Sequence, residues 1–212
     1  IWRSHYWSIG KNVDLIVNDA TSKEQWDYVG VAQAIRAWSW QRTTDQHGEI
    51  ILKQAWEPNR YVFDYDTQEE VYAEVDRLAN LAIENLNKTG NGVSESSLGR
   101  GDLVYKGKRD KWIKFTYGVL ARNAHRITNK STYNPSKVIE YVDKSFSSNA
   151  DNFGVPHAGT SSSDGNFYGP TRNNLANFRP TKFIVNLLNG TTLKGVTDPR
   201  ISLMLTASPD GK

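Results

Sequence analysis

The sequence predicts an all-α protein. Apolar residues recur every three or four positions in four long stretches, which is the spacing of one face of a helix. Helix-start signals stand at the head of two of these stretches. Alternation of apolar and polar residues, which marks a half-buried strand, is weak even in 49–53 and 61–65. These three observations together indicate helices packed on helices.

Two helices are predicted in the first fifty residues. A short helix is expected from Ser4 to Asn18, and a longer one between Lys23 and His47. In the longer stretch four apolar residues fall at i, i+3, i+4 and i+7 and therefore share one face. They are Val31, Ala34, Ile35 and Trp38. Gly48 ends this helix.

The next predicted helix runs from Thr67 to Lys88. Thr67 and Glu70 have the spacing of a capping box, in which each side chain satisfies an otherwise unpaired backbone N–H. Its apolar residues recur at spacings of four, three and four and are expected to be buried. They are Val71, Val75, Leu78 and Ala82.

A third long helix is predicted from Asp110 to Asn129, and it carries two apolar stripes. Trp112, Phe115 and Val119 form one stripe, whereas Ile113, Tyr117, Leu120 and Ala124 form the other. Two stripes indicate a helix that packs on more than one side.

A fourth helix begins after Asn134, a capping residue, with Pro135 at the first helical position, where proline's missing N–H is no loss. Its apolar residues are expected to be buried. They are Val138, Ile139, Val142 and Phe146. A short helix is also expected from Thr181 to Asn189. These helices are unevenly spaced along the chain, so periodicity alone leaves a helical bundle and a degenerate repeat both open.

Two irregular segments interrupt the helices. One runs from Gly90 to Gly107, and the other is the Ser-, Gly- and Asn-rich stretch from Asn149 to Pro180. Loops longer than about 15 residues within a compact domain are usually functional or disordered. The second segment is therefore the first place to search for a binding site.

Composition excludes several function classes. The 212 residues contain no cysteine, so disulfides, thiolate metal sites and cysteine nucleophiles are excluded in this segment. The net charge is +3 and both signs are interspersed, so no nucleic-acid partner is predicted. Seven Trp and ten Tyr serve equally well as core filling and as stacking platforms for sugars. We expect the chain to be a segment of a longer protein, because it opens at Ile1 and stops after a loop-like run.

No catalytic constellation is evident. The four histidines, His5, His47, His125 and His157, are far apart, and none forms the pair with a glutamate that a zinc protease needs. Asp64 and Asp66 bracket Tyr65 but directly precede a predicted helix, where negative charge is favoured electrostatically. The sequence therefore predicts a protein that is not an enzyme, with no catalytic residues, no metal site and no cofactor.

The glycine-rich stretch from Gly165 to Pro170 is the best candidate for ligand contact. It places Phe167 and Tyr168 in a polar loop, where an aromatic ring can stack on the apolar face of a sugar. Three nearby polar residues are expected to bond hydroxyl groups. They are Asn166, Asp164 and His157. The alternative is that one of the two aromatic rings folds back as a plug on the helices.

The order of several short motifs resembles the SusD/RagB superfamily of Bacteroidetes, and within it the starch-binding, outer-membrane-associated branch. The motifs are VAQAIRAW at 31–38, YDTQEEVY at 65–72, GDLVY at 101–105, KWIKF at 111–115, LAR at 120–122 and DPR at 198–200. Each motif is short, but together they are spread over most of the chain and occur in the order typical of the superfamily.

The resemblance implies a fold of degenerate tetratricopeptide-like helix pairs, an α-solenoid core with long irregular loops. Residues 1–212 would form a fragment of a single helical domain, with an irregular insertion at about 149–180 and with the leader and the C-terminal part outside it. The resemblance also implies a lipid-anchored protein on the cell-surface side of the outer membrane. Such a protein captures a glycan or oligopeptide and passes it unchanged to a SusC-like TonB-dependent transporter.

Two other function classes stay open at the level of sequence. One is a helical-repeat scaffold that binds a protein or peptide partner on its concave face. The other is an α-helical glycoside hydrolase, which needs two acidic side chains in one cleft.

Overall fold

The computed structural model describes residues 1–167, residue 169 and residues 180–205. These residues are helical and include no strand, which confirms the predicted class; Ile50 and Asp66 form an isolated antiparallel bridge. The α-helices are α1 (Lys11–Ser22), α2 (Trp26–His47), α3 (Gln68–Asn87), α4 (Glu95–Gly101), α5 (Arg109–His125), α6 (Pro135–Asp143), α7 (Lys182–Leu188) and α8 (Ile201–Met204). A π-helical turn, Ser4–Gly10, leads into α1, and Asn149–Asp151 form a 3₁₀ turn. The chain divides into two compact units, Ile1–Val155 and Pro156–Lys212.

Helix α2 lies at the centre of the first unit and packs against α1, α3 and α5. The predicted apolar face is only partly correct, because Val31, Ile35 and Trp38 are half-buried while Ala34 is fully buried. The most buried positions also include polar residues. They are Ala37, Trp40, Gln41, Thr43 and Thr44. A helix surrounded by neighbours is buried on more than one side, so the predicted face is only part of the surface that α2 buries.

Helices α3 and α5 supply most of the remaining core residues. The capping box is present: the Thr67 hydroxyl accepts from the Glu70 N–H at 3.3 Å, and the Glu70 carboxylate accepts from the Thr67 N–H at 2.9 Å. The predicted face of α3 shares one hydrophobic cluster with Trp112 and Phe115 of α5. Both stripes of α5 are covered, because Val119 and Leu120 are buried and the rest of the second stripe is at least half-buried. The predicted packing of α3 on α5 is therefore confirmed.

Helix α6 differs from its prediction in burial. Asn134 caps it as expected, with its side chain accepting from the Lys137 N–H at 3.2 Å. However, Ile139 is 60% exposed, Val142 53% and Phe146 42%. The helix packs on α5, with Tyr141 6.2 Å from Tyr117 between ring centroids. Spacing predicts that a face is apolar, but it does not show that another element covers that face.

Part of the predicted irregular segment from Gly90 to Gly107 is helical. Helix α4 begins after Ser94, whose hydroxyl accepts from the Ser97 N–H at 3.3 Å. Asp27 of α2 accepts from the Ser94 N–H at 3.0 Å and so ties the start of α4 to the central helix. The helix was missed because seven residues are too few for a periodic apolar pattern.

The turn between α4 and α5 is organised by one buried carboxylate. Asp102 is 8% exposed and accepts four hydrogen bonds. Its donors are the N–H groups of Val104 at 2.9 Å, Tyr105 at 3.0 Å and Gly107 at 2.9 Å, and the Trp112 indole N–H at 2.8 Å. Gly107 has a φ of +82°, and a Cβ there would lie 2.0 Å from a carbonyl oxygen of α4. The turn therefore requires both the aspartate and the glycine.

The same contacts determine the charge of Asp102. Burial alone would raise its pKa, but the hydrogen bonds from Tyr105, Gly107, Trp112 and Val104 favour the charged form and hold the pKa below its ordinary value. A carboxyl group with a depressed folded-state pKa stabilises the fold above its unfolded-state pKa. That contribution is lost as the pH falls through the folded-state pKa.

The substitution Asp102→Asn removes the charged acceptor and places an amide NH₂ group, itself a donor, against the surrounding N–H groups. We expect a loss of about 3 kcal/mol in the free energy of unfolding at pH 7. The loss should shrink on acidification below about pH 4, the usual unfolded-state pKa of Asp. Urea unfolding of the wild type and variant between pH 7 and pH 2.5 measures the difference. A difference that does not change with pH would contradict the role of the charge.

Candidate functional site

The predicted glycine-rich loop forms a local turn around Asp164. The Asp164 carboxylate accepts from the Ser161 N–H at 2.7 Å and the Thr160 hydroxyl at 2.5 Å. The Gly165 N–H donates to the Ser161 carbonyl at 3.0 Å. The Thr160 hydroxyl, followed by the Ser161 N–H, lowers the pKa of Asp164. Each oxygen of this carboxylate thus has a partner within the turn.

The other predicted site residues lie around this turn. Asn166 is exposed, and its backbone carbonyl accepts from the Gly169 N–H at 2.8 Å. Phe167 is 47% exposed, and His157 is exposed three residues before the turn begins. Tyr168 lies outside the described residues. The structure brings Asp164, Asn166 and Phe167 into one short stretch, and the role of all five residues in binding stays a prediction.

An aromatic residue in the same irregular segment packs against the rings of α5. Phe153 stacks on Phe115 with 4.8 Å between ring centroids and packs edge-on against Trp112 and Tyr105. The chain leading to it is fixed by Asp151, whose carboxylate accepts from Lys114 at 2.8 Å and from the Ser147 N–H at 3.0 Å. Phe153 is 37% exposed and Phe167 47%, so both rings are only partly covered, and the alternatives of ligand contact and plug for Phe167 stay a prediction.

A second aromatic surface was missed by the sequence analysis. It lies on residues 52–65, here called the tyrosine loop. Tyr61 is 89% exposed, Val62 82% and Tyr65 58%. The Tyr65 ring stacks on that of Trp2 at 6.0 Å between centroids and 27° between planes. Tyr61 and Tyr65 are therefore two largely exposed aromatic residues on one loop.

Hydrogen bonds close the tyrosine loop at its base. Ile50 and Asp66 exchange two backbone hydrogen bonds of 3.2 and 2.8 Å. The buried Asp66 carboxylate accepts from the N–H groups of Leu52 and Lys53 at 2.8 and 2.9 Å and pairs with the Lys53 ammonium at 3.1 Å. The Gln54 side-chain amide also reaches across the loop to Asp64. Its NH₂ group donates to the Asp64 carboxylate at 2.8 Å, and its carbonyl accepts from the Asp64 backbone N–H at 2.8 Å.

Trp56 anchors the loop on the helices. Its indole N–H donates to the Tyr6 carbonyl at 2.7 Å, and the Arg36 guanidinium lies 4.6 Å from the centre of its ring. The ring sits directly against Gly10, where a Cβ would lie 2.0 Å from a ring carbon. Only glycine permits this close approach. The loop backbone is therefore tied to the helices, which reduces the conformational entropy that the loop would lose on binding.

The carboxylates bracketing Tyr65 have structural contacts in this arrangement. Asp66 binds loop N–H groups and Asp64 binds Gln54. Within the described residues, no group of three or more His, Asp or Glu side chains is placed to hold a metal ion. None of the helices described is both long enough and apolar enough to cross a membrane. What the site offers chemically is rigid aromatic surface flanked by hydrogen-bonding groups.

The helices of the first unit share one core and form a helical scaffold that carries the exposed tyrosine loop. The family to which the chain belongs is the SusD-like family described as starch-binding and associating with the outer membrane, whose model matches residues 1–212. This membership confirms the resemblance inferred from the short motifs. No curated protein matches the chain.

Solved structures of the same superfamily are similar to the chain. A SusD/RagB family protein from Bacteroides thetaiotaomicron is 30% identical over 72% of this chain and 32% of its own, with a TM-score of 0.63. A SusD homologue from Bacteroides uniformis is 27% identical over 81% of this chain and 35% of its own, with a TM-score of 0.62. A chitin-binding SusD homologue from Flavobacterium johnsoniae is 27% identical over 73% of this chain and 31% of its own, with a TM-score of 0.57. The chain thus spans about a third of these proteins.

The packing of Trp56 on Gly10 can be tested by Gly10→Ala. The new methyl group forces the indole away, and we expect a loss of about 1 to 3 kcal/mol in the free energy of unfolding, as for other overpacked sites. Tryptophan fluorescence emission should shift to longer wavelength as the Trp56 ring becomes more exposed to water. Gly101→Ala is the matched control, because a Cβ there meets nothing within 4 Å. Equal stability of the two variants would contradict the anchoring role.

Proposed function

We propose that the chain is the helical part of an outer-membrane protein that captures an oligosaccharide at the cell surface. In this proposal a lipid anchor outside the described residues holds the protein to the membrane. A SusC-like TonB-dependent transporter receives the ligand. The observation that carries the proposal is the family match over residues 1–212, because that family is described as starch-binding and associated with the outer membrane. The chitin-binding relative from Flavobacterium johnsoniae adds a second glycan to the ligands worth testing.

The aromatic surfaces support a glycan as the ligand. A sugar ring has one apolar face, which an exposed tyrosine or phenylalanine covers, and hydroxyl groups around its edge, which polar side chains bond. The tyrosine loop presents Tyr61 and Tyr65, and the glycine-rich loop presents Phe167 beside Asn166. Both loops also carry polar residues next to the rings.

Capture without chemical change is part of the proposal. Glycoside hydrolysis needs a pair of carboxyl groups on either side of the scissile bond. The sequence candidates for such a pair, Asp64 and Asp66, instead close the tyrosine loop. Binding therefore accounts for the arrangement better than hydrolysis does, and the family description also favours a glycan over the protein partner of a repeat scaffold.

Calorimetric titration of the full-length protein with maltoheptaose and chitohexaose tests this function. We expect one of the two to bind, and the double variant Phe167→Ala, Tyr168→Ala to bind it more weakly by about 1 to 3 kcal/mol, or roughly 5- to 150-fold. The same measurement on Tyr61→Ala, Tyr65→Ala tests the tyrosine loop. The melting temperatures should be unchanged, since Phe167, Tyr61 and Tyr65 are exposed.

Phe183→Ala is the control, because Phe183 is 68% exposed on α7 and lies in neither loop. Full affinity in both double variants would exclude aromatic stacking at these two loops. A large fall in melting temperature of the Phe167, Tyr168 variant would show that these rings are core plugs.

A further inference from the structure

A polar cleft outside both aromatic loops lies between the start of α3 and the end of α5. The turn 126–132 forms its third wall, and its volume is about 630 Å³. This is within the range of pockets that hold small ligands. None of its lining residues belongs to the tyrosine loop or to the glycine-rich loop.

The floor of the cleft is built on a buried amide. Asn123 is 4% exposed, and its NH₂ group donates to the Tyr72 carbonyl and to the Asp76 carboxylate, both at 2.9 Å. Its carbonyl accepts from Gln41 of the central helix at 3.4 Å. Asp76 is thereby oriented through one carboxylate oxygen, and no described residue bonds the other.

A second set of bonds fixes the side wall. The Tyr72 hydroxyl donates to Asp45 at 2.8 Å, and Arg126 donates to the same carboxylate from Nε at 2.9 Å and from Nη2 at 2.5 Å. Two charge-assisted bonds to one carboxylate hold the arginine in a defined plane. The turn after α5 is thus tied to the end of α2, and the cleft is formed before any ligand arrives.

The rim differs from the floor because several of its polar side chains have no hydrogen-bond partner among the described residues. In the part of the chain that the structure describes, five lining side chains make no hydrogen bond or ion pair. They are Glu69, Asn129, Lys130, Ser131 and Thr132. Carboxylate, amide, ammonium and hydroxyl groups together supply both donors and acceptors. Such a mixture matches a ligand with many hydroxyl groups, each of which both donates and accepts.

The charges and apolar groups of the cleft narrow the ligand class. The cleft and its wall carry three carboxylates, on Glu69, Asp76 and Asp45, and two cations, on Lys130 and Arg126, so both signs are present with one negative charge in excess. Ala73, Ala124 and Ile127 contribute apolar surface between the polar groups. We propose that this cleft is a saccharide subsite, which takes one end of a neutral oligosaccharide. The ligand class rests on the proposed glycan-binding function, whereas the location rests on the cleft itself.

The experiment blocks the cleft with Ala73→Trp in the full-length protein. Ala73 is exposed on α3, so the indole fills the cleft without disturbing the core. Asn80→Trp, at an exposed position further along the same helix, is the control. We expect Ala73→Trp to weaken binding of maltoheptaose or chitohexaose at least tenfold, whereas Asn80→Trp should leave it within twofold. Glu69→Ala with Thr132→Ala, which removes only rim groups, should weaken it about three- to tenfold.

The outcomes separate the two proposals. Wild-type affinity in Ala73→Trp and in the rim variant would overturn the subsite and leave glycan binding intact. Absence of binding to either oligosaccharide in the wild type would contradict the glycan function and, with it, the ligand class of the cleft. Binding of an oligopeptide that only Ala73→Trp abolishes would also overturn the saccharide assignment.

Discussion

The fold depends on one buried carboxylate. The Asp102 carboxylate accepts hydrogen bonds from four N–H groups that would otherwise be buried without partners in the turn between α4 and α5. Each buried N–H group without a partner would cost about 1 to 3 kcal/mol of stability. One of its donors is the indole of Trp112, whose ring packs against Tyr105 and Phe115 in the core. The GDLVY and KWIKF motifs are therefore two halves of one interaction. They fix the start of α5 and, through it, the packing of α3 and α2.

A scaffold fixed in this way can hold exposed groups in place. The tyrosine loop is closed by Asp66 and anchored by Trp56, and the floor of the polar cleft is fixed by Asn123. In each case a buried polar contact determines the position of a surface that is free to bind. Preorganised loops and clefts on a rigid core suit the capture of a ligand, because little conformational entropy is lost when it binds.

Local signals in the sequence predicted local structure well. The capping box of Thr67 and Glu70 and the two stripes of α5 were confirmed, because they depend on residues three or four positions apart. The burial of Ile139 was predicted wrongly and the buried surface of α2 only in part, since both depend on which neighbours cover a helix. The tyrosine loop was missed because its anchor is a contact between Gly10 and Trp56, which are far apart in sequence. At the glycine-rich loop, composition indicated a turn but not the partners that Asp164 finds within it.

Native-state hydrogen exchange tests the dependence on Asp102 most directly. If this carboxylate holds the turn to the core, the amides of the turn must open only when α3 and α5 unfold. The amides of Tyr105 and Gly107 and the indole N–H of Trp112 should then exchange with the same opening free energy as the core amides of those helices. Exchange of these three groups at a free energy several kcal/mol lower, while α3 and α5 stay protected, would contradict the claim.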